Sequence, residues 1–206
     1  MNAMKSLGMV AFAQSLAAMG CASQSAEFRG MSAVEHESAA RAAQGDPATA
    51  AEHIEAANRL RYDEQVACDG VSDVERASGP FARQGGVTDV EVVRDRGVFP
   101  KAPPVPVGVA VYLRAEPGLT QQWLGRVIEC HRAHIALTGR SDQRSPLSVP
   151  DAVVAVSTTY DGFRVTVTSK NQDVAHIIVD KGQELAASTY STRNRAPRSV
   201  WPRSSN

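Results

Sequence analysis

The segment Leu119–Leu137, LTQQWLGRVIECHRAHIAL, constrains the fold of this chain most. At about 100° per residue, Trp123, Leu124, Val127, Ile128 and Ile135 share one broad face of a helix. Cys130, His131 and His134 fall within the same arc, whereas Arg126, Glu129, Arg132 and Ala136 lie on the other side. An apolar face this wide needs a surface to cover it. The Cys and both His are therefore expected to face a sheet or its rim.

The flanking segments read as that sheet. Val107, Val109, Val111 and Leu113 alternate with Gly108, Ala110 and Tyr112, a strand period. Val87–Arg94 reads as a preceding strand with Val90 and Val92 on one face, and a Pro-rich connector, Gly97–Pro106, joins the two. Beyond a polar loop at Arg140–Pro150, Ala152–Ser157 and Phe163–Thr168 form a hairpin across Tyr160-Asp161-Gly162. Phe163, Val165 and Val167 supply its buried face. Ser169 or Asn171 caps a last helix reaching about Leu185, with Val174, Ile177, Ile178 and Leu185 directed inward. The order strand–strand–helix–strand–strand–helix predicts an α+β domain over 87–186, a ferredoxin-like sheet with its last strand permuted to the front.

Residues 32–69 read differently. Ser32-Ala-Val-Glu35 is a capping box, and Asp46-Pro47 places an N-cap and a first-turn proline at a second helix start. Two Ala-rich helices, to about Ala43 and about Ala67, are predicted as a hairpin, with Ala50, Ile54, Ala57 and Leu60 in loose helical register and Gly70 closing the second. His36 and His53, each beside a Glu, read as solvated surface residues. Residues 70–86 read as loop, and 187–206, with Arg193, Arg195, Arg198 and Arg203 and no acid, as a disordered basic tail. The 22 basic and 22 acidic side chains cancel, so nucleic acid is not an expected partner.

The N-terminus carries Lys5, an apolar run Leu7–Ala13, and small residues before Cys21, which describes a secretory signal over 1–20, too short to span a bilayer. The ending Ala18-Met19-Gly20-Cys21 resembles the lipobox of bacterial lipoproteins, with Ala18 standing where that pattern usually has Leu. The resemblance implies that Cys21 is acylated and becomes the mature N-terminus, followed by a tether over 21–31. An ordinary secretory signal is the alternative. Several acyl chains on Cys21 would hold the protein stably, since one chain binds only marginally.

With Cys21 lipidated, two cysteines remain, and an oxidising periplasm favours a Cys68–Cys130 disulfide over two buried thiols or a metal role. The competing chemistry is a zinc or copper site using His131 and His134, with Cys130 beside them and Cys68 or His176 as a further ligand. Neither a paired CxxC nor an HExxH motif is present to support it. No nucleophile elbow, Gly-rich phosphate loop or carboxylate dyad is visible, so no catalytic residue is assigned.

Three stretches carry a second resemblance: Val66-Ala-Cys68-Asp-Gly70, Gly118–His131, and Tyr160-Asp-Gly-Phe163. Through these, the region from about Tyr62 to Leu185 resembles uncharacterised envelope lipoproteins of bacteria. Similar sequences are expected to carry Cys before Pro146-Leu147, where this chain has Ser145, which weakens a three-thiol metal set. The resulting expectation is a lipid-anchored envelope protein facing the periplasm. Its partners would be the membrane, through Cys21, and other envelope proteins, in a structural or interaction role. Metal binding or sensing at His131 and His134 is the alternative.

Overall fold

The structure is a computed structural model that describes residues 30–43, 45–82, 86–96, 103–139 and 145–195. The expected signal segment, Cys21 with its expected acylation, and most of the expected tether lie outside the described residues. Among the described residues no helix is long and apolar enough to cross a membrane.

The described residues begin with three helices: α1 (Ala33–Ala42), α2 (Pro47–Ala67) and α3 (Asp73–Ser78). Strands β1 (Val87–Asp95) and β2 (Val105–Arg114) follow, then α4 (Gln121–Thr138), β3 (Val153–Thr158), β4 (Gly162–Thr168) and α5 (Gln172–Arg195). The four strands form one antiparallel sheet in the order β1-β2-β4-β3. The class is α+β, N-terminal helices followed by an antiparallel sheet with helices.

The caps explain where the helices begin. Ser32 Oγ accepts from the Glu35 amide at 3.3 Å while Glu35 Oε2 accepts from the Ser32 amide at 2.6 Å, the reciprocal capping box. Asp46 Oδ1 accepts from the amides of Ala48 and Thr49, with Pro47 at the first helical position. At the sheet's far end Asn171 Oδ1 accepts from Asp173 and Val174 and starts α5.

One face of the sheet carries the main core. Val109, Val111 and Leu113 of β2 and Phe163, Val165 and Val167 of β4 are all buried, and they pack with Leu124 and Ile128 of α4 and with Ile178, Val179 and Leu185 of α5. Between α4 and α5 the turn Pro146–Ser148 and its flank insert Leu147 and Val149 into the same core.

Four expectations need correction. Residues 70–86 are not all loop, because Ser72 caps the short helix α3, accepting from the Glu75 amide. The last helix continues past Leu185 to Arg195, so the first part of the expected basic tail is helical, and 196–206 lie outside the described residues. Ile177, assigned to an inward face, is about half exposed, at 48%. Helix α5 turns Ala175, Ile178 and Val179 inward instead.

The largest correction concerns α4. Its apolar arc is shared between two interfaces about a quarter-turn apart. Leu124 and Ile128 meet the sheet, while Val127 and Cys130 pack with Cys68 and Val71 in a second cluster, flanked by Trp123. The helix is therefore the middle of three layers, with the sheet below and α1–α3 above. Arg132, placed on the side of α4 away from the apolar arc, is half-buried, and its Nη2 donates to the Ala152 carbonyl at 2.9 Å. Burial lowers the pKa of its guanidinium from the ordinary arginine value.

Candidate functional site

The Cys-His-His stretch of α4 lies at the junction of α2, α3 and α4, facing the helical layer and not the sheet. Cys130 is joined to Cys68 at the end of α2 by a disulfide, with Cα atoms 4.5 Å apart and both residues buried. The Cys68–Cys130 pairing expected from the cysteine count is present. A bridged sulfur is no thiolate, so neither cysteine is a metal donor in this state.

The bridge sets the register between α2 and α4, which run antiparallel here. One turn before Cys68 is Glu64, and one turn after Cys130 is His134; helical spacing brings them together. Glu64 Oε1 lies 3.2 Å from His134 Nδ1 and 3.5 Å from Arg76 of α3. A carboxylate only accepts, so the His134 contact requires a proton on Nδ1. Glu64 is buried, and its carboxyl group faces these two donors.

His131 is also buried. Its Nδ1 lies 3.2 Å from the Arg76 carbonyl, another pure acceptor, so Nδ1 donates. The far side of the ring rests on Gly79, the residue that ends α3 at φ 67°, where a Cβ would stand only 2.6 Å from Nε2. Trp123 Nε1 completes the junction by donating to Glu75 Oε1 at 3.4 Å.

The two imidazoles thus serve different partners, a carboxylate of α2 and a backbone carbonyl of α3. Among the described residues no group of three or more His, Cys, Asp or Glu side chains is arranged to hold a metal ion. What the arrangement does chemically is pair buried polar groups where three helices meet, with Arg76 Nε left buried without a hydrogen-bond partner. Each bond ties α4 to an element that carries few large apolar side chains of its own.

Glu64, Arg76, Glu75 and Gly79 were not singled out by sequence reasoning. Glu64 was within reach: once Cys68 pairs with Cys130, antiparallel helices carry Glu64 to His134. Arg76, Glu75 and Gly79 sit on a helix read as loop, so no spacing argument could place them. His36 and His53, read as solvated, are instead buried against each other, at 3% and 9% exposure. Ser145 caps the turn before Leu147, its Oγ accepting from the Leu147 amide at 3.3 Å. Comparison with family models, curated proteins and solved structures finds no match to the chain.

Proposed function

We propose that this protein is a lipid-anchored component of a bacterial envelope, held through an acylated Cys21, with a folded part that acts as a structural or interaction module. The leader ending in Ala18-Met19-Gly20-Cys21 carries this reading. The Cys68–Cys130 bridge supports it, because disulfides persist in oxidising compartments and are rare in the cytosol. The polar cluster on α4 agrees with a structural role, since His131, His134 and Glu64 are engaged in joining helices.

Within the same reading we assign the sheet and its two helices to a permuted ferredoxin-like arrangement. The support is the strand order β1-β2-β4-β3, which follows from moving the last strand of strand–helix–strand–strand–helix–strand to the front.

Fractionation tests the anchoring. Expressed with its leader in a bacterium that processes lipoproteins, the wild type is expected in the membrane fraction and Cys21→Ser outside it. Equal distribution of the two would remove the anchor from the account.

A further inference from the structure

Helix α1 is held to the rest of the molecule by little apolar surface. Its buried residues are Ala33, His36 and Ala40, two methyl groups and one imidazole. The imidazole faces another: His36 Nδ1 lies 3.0 Å from His53 Nδ1 of α2, with ring centroids 5.3 Å apart. Two ring nitrogens at this distance share one proton. One donates and the other accepts, so the accepting ring must be neutral. A second proton removes the acceptor and sets two cations against each other in a site with little water.

We propose that the His36–His53 pair is an acid-released clasp, holding α1 on α2 while at least one ring is neutral and freeing α1 when both are charged. His36 also forms part of the wall of a groove of about 650 Å³ between the hairpin and α4, with Ala56, Leu60, Ala133, Ile135 and Leu147 as its apolar surface. Departure of α1 removes that wall and widens the groove. It also frees the 10 residues of α1 from the folded body.

Of the charges around the pair, Glu37 of α1, next to His36, is already paired with Arg61 of α2. Glu35, beside His36 on α1, favours the cation but is committed to the Ser32 cap. Arg59 and Asp63 of α2, Arg132 of α4 and Asp151 before β3 line the groove, two charges of each sign. Burial first, and the neighbouring His53 second, hold the His36 pKa below the ordinary imidazole value of 6.5. The closed form therefore binds fewer protons than the released form. The clasp is at full strength above about 6.5 and weakens as pH falls below that value towards the lowered pKa of His36.

Amide hydrogen exchange on the full chain tests this, with rates corrected for the intrinsic pH dependence of exchange. Protection of α1 relative to β4 is expected to fall between about pH 7.5 and about pH 5.5, by up to about tenfold for one proton excluded from the closed form. The double variant His36→Asn/His53→Asn keeps a hydrogen-bonding pair that does not titrate, and its α1 is expected to hold its protection. No α1-specific loss in the wild type, or an equal loss in the variant, overturns the clasp. Should the variant not fold, the imidazole titrations of the wild type followed by NMR decide instead. Loss of α1 protection that tracks the His36 midpoint supports the proposal, and loss only in the carboxylate range, below about pH 4.5, overturns it.

Discussion

Glu64 shows how much a single buried carboxylate can organise. It receives His134 from α4 and Arg76 from α3, so its removal leaves two donors of different helices facing a void. Glu64→Ala is expected to destabilise the fold by roughly 1–3 kcal/mol in urea unfolding, the cost of unsatisfied buried polar groups. Glu52→Ala, an exposed position on the same helix, is expected to stay within about 0.5 kcal/mol. Equal effects at the two sites would mean that the junction contributes nothing. His131 belongs to the same argument, since Gly79 is left without a side chain where its ring lies.

The helices also differ in how closely they approach their neighbours, and two glycines expose the difference. Gly182 of α5 lies against β2, where a Cβ would come within 2.6 Å of Val109 Cγ1, whereas Gly125 of α4 has open space where a Cβ would be. Alanine is the better helix former by about 1 kcal/mol, so Gly125→Ala is expected to stabilise by roughly 0.5–1 kcal/mol. Gly182→Ala is expected to destabilise by roughly 1–3 kcal/mol through overpacking, despite the same gain in propensity. Thermal or denaturant unfolding of both variants checks the opposite signs.

At this scale much was legible in the residues. The capping box at Ser32 and Glu35, the Asp46-Pro47 start, and the alternation of β2 and β4 all give elements where their local chemistry predicts them. Local chemistry fails where an interface is decided by distant chain. The arc on α4 specifies how much surface is buried but not that two different layers share it. His36 and His53 look solvated in Glu-rich surroundings, and only the pairing of α1 with α2 buries them.

The described residues form three layers, joined across their upper interface by a small apolar cluster, polar contacts and one covalent bond. The Ala-rich hairpin buries small side chains, so the bridge between residues 62 apart in sequence has a large share in holding it to α4. Removing both cysteines, Cys68→Ala/Cys130→Ala, is expected to cost about 2–4 kcal/mol by closing no loop in the unfolded chain. Loss of α1–α3 protection ahead of the sheet in hydrogen exchange would accompany it. Simultaneous loss in every layer would place the coupling elsewhere.

Mass spectrometry of the protein extracted from membranes, denatured and alkylated without reductant, tests the envelope reading most directly. The account predicts a mature chain that begins at an acylated Cys21 and takes up no alkylating agent at Cys68 or Cys130. An unacylated N-terminus with both cysteines alkylated would contradict it.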